Sequence, residues 1–474
     1  MALTCRPDRK LMETRTFDLV VIGSGPAGQK AAIAAAKHKK RVAVVDKKSL
    51  IGGVSLHSGT IPSKTLREAI LYLTGFRQRS FYGADYTLKD KITVADLNAR
   101  VRAVIERELA VVVGQLRRNN IEILHGQARF VDPHTLRVES EHGSEDVRGE
   151  NILIACGTRP ARSPDIAFDG KHVLLADQLG GVTELPENLI VVGGGVVGLE
   201  YASMFAALGI HVTLIDLRTT VLDFADEEVV DALLVHMRDL GTTFRLGEKV
   251  TGVSAEPDER VLATTESGKH IHADMLLYTV GRQVNTDTLD LANAGLTADE
   301  RGRLAVNPVF QTAVPHIYAA GDVIGFPALA SASMEQGRMA MIHACGAGRS
   351  RISDLLPVGI YTIPEVSSVG ETEESLSAKS VPYVSGKASL MGNARANLIG
   401  EATGFVKILA GKGDRKILGV HCIGPHASEL VHLGHAVMAL GGDLGYFEQA
   451  VFNYPTLGEA FKYAAFDAAE KLKG

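Results

Sequence analysis

Apolar runs of strand length alternate with glycine turns and helical stretches through most of the chain. Phe17 to Ile22, FDLVVI, is a continuous apolar run and predicts a buried strand. It leads through Gly23-Ser24-Gly25-Pro26-Ala27-Gly28 into an alanine-rich helical stretch. A second strand, Arg41 to Val45, then ends at Asp46. The succession recurs: NLIVV, then GGGVVG, then a helix, then Val212 to Ile215 ending at Asp216. Ile317 to Ala319 predicts a third, shorter strand before Gly321-Asp322 and a helix that starts near Leu329. The stretch Ile92 to Arg118, locally apolar at Val111 to Val113, predicts a long packed helix. From Pro357 the pattern changes to short β runs. Gly404–Ala410 and Lys416–Cys422 predict two strands around the turn GKGDR. A helix from Ala427 carries Leu430, Val431, Leu433, Val437 and Met438 on one face.

Strands alternating with helices indicate an α/β chain. At 474 residues it is too long for one hydrophobic core, so two to four domains are expected. A net charge of −5 gives no support to a nucleic-acid partner. Cys5, Cys156, Cys345 and Cys422 are scattered, which leaves no CxxC and no thiol metal cluster and fits a reducing compartment. His426, His432 and His435 lack a ligand-like carboxylate pattern and are expected to be structural, so no metal site is expected. The first sixteen residues are polar and basic without the apolar core of a signal peptide. No apolar run approaches the ~20 residues of a membrane span. A cytoplasmic protein without a membrane partner is the expectation.

The two glycine turns carry the candidate chemistry. In strand–GxGxxG–helix–strand–acid, the first glycine (Gly23, Gly193) makes the turn and the second (Gly25, Gly195) admits a pyrophosphate. The third (Gly28, Gly198) lets helix and strand pack closely. The helix N-terminus offers unpaired N–H groups to the phosphates. Asp46 and Asp216 stand where an acid accepts ribose hydroxyls. Two such units suggest two dinucleotides on one chain, most simply a flavin dinucleotide and a nicotinamide dinucleotide. Asp322, at a strand end, can bind a sugar-like hydroxyl chain or cap the helix that follows. Arg218, two residues past Asp216, can meet the 2′-phosphate of NADP or lie as a solvated loop charge.

These segments resemble the flavoprotein disulfide reductase family over nearly the whole chain. GGVSLHSGTIPSK (Gly52–Lys64), ILIACGTRP (Ile152–Pro160), YTVGRQVNTD (Tyr278–Asp287) and the Gly321-Asp322 segment carry the likeness. The resemblance implies two Rossmann-like dinucleotide-binding domains plus an α+β C-terminal interface (dimerisation) domain. FAD is expected on 1–157 and 281–350, NAD(H) or NADP(H) on 158–280, and a homodimer or larger homo-oligomer through 351–474. It further implies cofactor contacts at Gly52, Gly53, Ser55, Gly59, Thr60, Ala128, Gly157, Gly281, Gly321, Asp322 and Ala330. Asp46 would bind the adenine-side ribose and Asp322 the ribityl hydroxyls. Lys64 and Glu200 would form an ion pair beside flavin and nicotinamide, the catalytic pair of the hydride step.

Two departures matter. The disulfide reductases place cysteines where this chain has Ser55 and Thr60, and a hydroxyl forms no disulfide. Their C-terminal His-Pro-Thr-x-x-Glu reads here FNYPTLGEA, with Tyr454 before Pro455 and Glu459 in place. A tyrosine is a poor general base at neutral pH. The dithiol relay is thus missing as a unit while the nicotinamide–flavin half stays. The chain therefore resembles the soluble FAD-dependent NAD(P)(+) transhydrogenases, through GTIPSK, AGDVIGFPALASA, GIYTIPEVSSVG and FNYPT. That likeness implies hydride transfer from NADPH to NAD+ by ping-pong kinetics. A quinone or dye reductase and a catalytically idle redox sensor are the alternatives.

Overall fold

The computed structural model describes residues 14–256, 260–348 and 352–473. Cys5, most of the N-terminal segment and the expected boundary at 350/351 lie outside the described residues. The chain divides into two compact units. One comprises residues 1–61, 105–159 and 282–352; the other comprises 62–104, 160–281 and 353–474.

The first unit is built on a seven-stranded sheet. Glu122–His125, Val42–Asp46, Arg15–Ile22 and Gly143–Ile154 lie side by side and parallel, with Ile317–Ala319 parallel on the far edge. Gly143–Ile154 also closes an antiparallel meander with Thr135–Ser140 and Gln127–Asp132. The apolar run seen in the sequence is fully used: Leu19, Val20, Val21 and Ile22 are all buried. Helix Pro26–Lys37 packs Ala27, Ala31, Ala32 and Ala35 into a core shared with Ala340 and Met341 of helix Ala330–Ala344. Small residues permit that approach. A Cβ on Gly337 would stand 2.1 Å from the Ala27 carbonyl oxygen.

The second unit holds two main sheets. Five parallel strands run in the order Thr243–Leu246, His211–Asp216, Asn188–Val192, Met275–Tyr278, Val173–Leu175. Helix Val196–Ala207 is buried nearly all round, as its mostly apolar sequence requires, with Glu200 and Ser203 the buried polar exceptions. The C-terminal sheet is antiparallel, in the order Val358–Ile360, Val366–Gly370, Ile417–Ile423, Phe405–Gly411, Tyr383–Ser389. Helices Ala427–Ala439 and Glu459–Lys471 supply its core with Val431, Phe461, Ala464 and Ala468.

A buried charge cluster joins these parts of the second unit. Lys407, 1% exposed, reaches Asp226 at 2.8 Å, Glu228 at 3.0 Å and Glu373 at 2.5 Å. Three carboxylates around one ammonium meet the condition for burying a charge: every group is paired. His421 is the cross-strand neighbour of Lys407 and donates from Nε2 to the Glu371 carbonyl at 2.9 Å, while its buried Nδ1 has no partner among the described residues. Among the described residues no helix is long and apolar enough to cross a membrane.

Candidate functional site

The first glycine turn is set by backbone contacts that only glycine permits. Gly23 has φ +100°, and a Cβ there would stand 2.3 Å from the Ala155 oxygen. On Gly28 it would stand 1.9 Å from the Gly23 oxygen. Gly25 is different: its nearest neighbour is the Gly53 Cα at 4.0 Å, so packing alone does not demand a glycine. It is the N-cap of helix Pro26–Lys37, with no side chain capping the free N–H groups. That leaves the site a diphosphate needs.

Ser24, a variable position of the GxGxxG pattern, ties the turn together. It is fully buried; its N–H and Oγ both donate to Asp46 Oδ2, at 2.7 and 2.6 Å, and its Oγ accepts from the Gly52 N–H at 2.9 Å. Asp46 Oδ1 accepts from the Lys47 N–H. Three of the roughly four acceptor positions of the carboxylate are thereby filled, and one stays open for a ribose hydroxyl. Burial pushes the Asp46 carboxyl above its ordinary value, against the lowering effect of the Ser24 bonds. Gly52 and Gly53 enter the same cradle, since a Cβ on Gly53 would lie 2.7 Å from the Gly25 Cα. The Gly126 N–H donates to the Asp46 carbonyl, which sets the start of strand Gln127–Asp132, and so Ala128, near the acid; the Ala128 methyl itself is buried in the core.

Ser55 sits on the short helix Val54–His57 and donates to the Gly52 carbonyl at 3.2 Å. Gly59 closes that turn through its N–H to the Val54 carbonyl, and Thr60 opens helix Thr60–Leu73. Asp322 starts a short turn of its own, Asp322–Ile324, and does not cap the following helix; Leu329 is that N-cap and Ala330 the first helical residue. Asp322 Oδ2 accepts from Thr158 Oγ1 at 2.9 Å, and Thr158 Oγ1 in turn accepts from Arg282 Nε at 2.7 Å. Gly321 has φ +83° and packs 3.2 Å from Ala27 Cβ, measured from a Cβ built on it. Gly157, with φ +64°, has open space where a Cβ would be. These residues fit an FAD: an uncapped helix end beside two glycine loops, with acids at Asp46 and Asp322 on the same sheet's strand ends.

In the second unit, Gly193, Gly195, Asp216, Arg218, Lys249 and Gly281 line one cavity of about 520 Å³, a small-molecule size. Gly198 does not line it. Its role is packing, since a Cβ would stand 1.8 Å from the Gly193 oxygen. Gly195, by contrast, meets nothing within 4 Å and caps helix Val196–Ala207 with no side-chain bond. Thr279, a second unpredicted residue, fastens the turn by donating to the carbonyls of Val192 and Gly193. Asp216 is fully engaged. Oδ1 accepts from Arg218 N and Nε, at 2.7 and 3.1 Å; Oδ2 accepts from the Gly194 N–H and from Arg218 Nη2. Those four donors hold its carboxyl below the ordinary range despite the opposing effect of burial.

Lys64 and Glu200 meet. Lys64 Nζ stands 2.8 and 2.7 Å from the two carboxylate oxygens of Glu200. Glu200 is 3% exposed, and Oε1 also accepts from the Tyr361 N–H at 2.9 Å. The Tyr361 ring lies 4.8 Å from the ammonium, within cation–π range. Tyr361 stands 161 positions from Glu200 in the chain; it lies in the segment GIYTIPEVSSVG, but nothing in that segment's sequence pairs it with Glu200. At the C-terminus, Tyr454 is exposed, and Glu459 begins helix Glu459–Lys471 with Oε2 accepting from the Thr456 N–H at 3.4 Å. No cluster of histidine, cysteine or carboxylate side chains among the described residues has metal-holding geometry.

Two dinucleotide turns, each with its acid, and a lysine–glutamate pair define a pyridine nucleotide-linked flavoprotein. The family model for pyridine nucleotide-disulphide oxidoreductases matches residues 17–337, and the model for their dimerisation domain matches 356–465. The chain belongs to the pyridine nucleotide-disulphide oxidoreductase family. It is 53% identical to a soluble pyridine nucleotide transhydrogenase of Mycobacterium bovis, over 97% of this chain and 98% of the relative. It is 42% identical to one of Klebsiella pneumoniae, over 96% and 98%. Among solved structures, LpdA of Mycobacterium tuberculosis superposes with a TM-score of 0.88 at 29% identity, covering 96% of this chain and 99% of that one. The flavoprotein disulfide reductase RclA of Escherichia coli, in its Cu(II) complex, superposes at 0.87 with 26% identity, covering 96% and 99%.

Proposed function

We infer that the chain is an FAD-dependent pyridine nucleotide transhydrogenase that moves a hydride from NADPH to NAD+. Near-full-length likeness to soluble transhydrogenases supports the activity. The observation that carries it within the chain is the pair Ser55 and Thr60 in an otherwise complete two-nucleotide frame. Hydroxyls there leave no dithiol to receive electrons, so disulfide reduction does not follow from the fold. FAD, when bound, would supply a two-electron carrier between one nicotinamide nucleotide and the next.

The chain's own residues bind, orient and neutralise. Gly23, Gly25 and Gly28, with Gly52 and Gly53, would hold the FAD diphosphate at the start of helix Pro26–Lys37. Asp46 would take a ribose hydroxyl and Asp322 the ribityl chain. Gly193, Gly195 and the N-terminus of helix Val196–Ala207 would take the nicotinamide nucleotides in turn. Lys64, fixed by Glu200, is the cation that favours negative charge on the flavin, and the carboxylate keeps the ammonium from turning to solvent. No general acid or base is required, which fits Tyr454 in place of a histidine.

In this reading residues 1–157 and 281–350 carry FAD, 158–280 the nicotinamide nucleotide, and 351–474 a dimer interface. The exposed apolar side chains Leu440, Val451, Tyr454 and Tyr463 suit contact with a second copy. The relatives named soluble, and the scattered cysteines, support a cytoplasmic location. The test is anaerobic reduction of thio-NAD+ by NADPH, without quinone. Parallel initial-rate lines and a dependence on FAD are expected. Flavin reduction without transfer to thio-NAD+ would overturn the reading in favour of another acceptor.

A further inference from the structure

The saturated carboxylate of Asp216 changes what its pocket can recognise. An ionised carboxylate has about four acceptor positions, and all four are occupied by protein donors. A ribose 2′-hydroxyl finds no free acceptor there while Arg218 stays in place. The Asp216–Arg218 pair is instead a nearly neutral platform, with Arg218 Nη1 directed away from Asp216 and 3.8 Å from the exposed Asp223.

The neighbouring loop adds a cation. Gly247 and Glu248 donate their N–H groups to the carbonyls of Arg218 and Asp216, at 2.9 and 3.0 Å, and the Lys249 carbonyl accepts from Glu266 at 2.8 Å. These three bonds fix the Lys249 backbone beside the platform. The Glu248 carboxylate is already tied to Lys269 and Ser267. Lys249 is exposed, lines the cavity, and has no ion pair among the described residues. Asp216 pairs with Arg218 and Glu248 with Lys269, so Lys249 is the cavity-lining cation that no carboxylate among the described residues already engages; Asp223, near Arg218, and the cavity-lining Asp165 are the remaining acids.

We propose that Lys249 is a specificity-determining residue that, together with the outer face of Arg218, binds the 2′-phosphate of NADP(H). This deepens, and rests on, the reading of the cavity as the nicotinamide nucleotide site. The Asp216–Arg218 pair stays closed during binding. The site therefore accepts NADP(H) through two cations, and accepts NAD(H) without repulsion or an acid–ribose bond. One cavity then serves both nucleotides without a rearrangement between half-reactions.

Fragment binding tests this without turnover. The affinities of 2′,5′-ADP and 5′-AMP for the FAD-loaded protein are measured by calorimetry for the wild type, Lys249→Met and Lys249→Arg. A charge-assisted hydrogen bond at an exposed position gives an expected loss of roughly fivefold to tenfold for 2′,5′-ADP in Lys249→Met. Affinity for 5′-AMP is expected to hold, and Lys249→Arg to restore most of the loss. The 2′,5′-ADP advantage of the wild type should shrink as salt is raised. Equal affinity of wild type and Lys249→Met for 2′,5′-ADP would overturn the proposal, as would parallel loss of both fragments. If neither fragment binds the wild type, the cavity reading itself falls. If the fragments behave as expected but thio-NAD+ is not reduced, the transhydrogenase reading fails and the specificity assignment stands.

Discussion

Replacing Glu200 by glutamine keeps the shape of the side chain and removes its charge. Two unit charges 2.7 Å apart attract by ~6 kcal/mol at an effective dielectric of about 20. That gross figure overstates the loss, because both groups were desolvated to form the pair. Breaking a fully buried pair costs about 3–5 kcal/mol. The Lys64 side chain keeps 26% of its surface, so water recovers part of the ammonium's solvation. The glutamine oxygen still accepts from Tyr361. A loss of about 2 kcal/mol in the second unit's stability is expected, read as a lower urea midpoint at unchanged slope. The kinetic effect separates brace from participant. If Glu200 holds Lys64 where charge develops, flavin reduction by NADPH in stopped flow slows about 10- to 100-fold at saturating nucleotide. A variant with the lower midpoint but a reduction rate within twofold of wild type would refute the role of the pair in the hydride step.

The two inner glycines of the nicotinamide turn should separate binding from folding. Gly195→Ala has open space and a backbone alanine tolerates, so it should keep its melting temperature while losing at least ~10-fold in NADPH affinity by fluorescence titration. Gly198→Ala would drive a methyl into the Gly193 carbonyl and should lower stability by more than ~2 kcal/mol in urea. The double variant Ser55→Cys, Thr60→Cys should remain at least ~100-fold slower with lipoamide than a dithiol reductase, because Tyr454 supplies no base; a fast lipoamide reductase would show that reasoning wrong. Burial pushes His421 below the ordinary histidine value. Folding therefore favours its neutral form. Stability is complete above the unfolded value near 6.5, falls by up to ~1.4 kcal/mol per pH unit below it, and levels off below the depressed folded value. His236, shifted the same way by burial, adds to the slope. His421→Asn should flatten urea midpoints between about pH 6.5 and 5, and an unchanged slope would count against the buried neutral imidazole.

Strand, turn and helix of both nucleotide units were legible in the chain because they are local. Phe17–Ile22 lies inside the strand Arg15–Ile22, and Ile317–Ala319 is reproduced residue for residue. A glycine turn between a buried strand and a helix has few other solutions. The missing thiols were equally legible, since chemistry that needs sulfur is excluded by residue type alone. Partner choice was not legible. Helix Thr60–Leu73 shows an apolar face, but only the folded unit sets Leu66, Ala69 and Ile70 in one core with Leu199, Val212 and Ile360. Hydrophobic burial is non-directional, so a stripe of leucines does not name what covers it. The roles of the acids were decided in the same way. Asp46 and Asp216 stand at equivalent strand ends in the sequence. The first keeps one acceptor position open, and the second is closed by Arg218 and the Gly194 N–H. Composition and spacing therefore determined which nucleotide chemistry this chain can perform. Tertiary structure decided which side chains remain free to recognise the nucleotide, because hydrogen-bond capacity is finite and is filled by whatever the fold brings within reach.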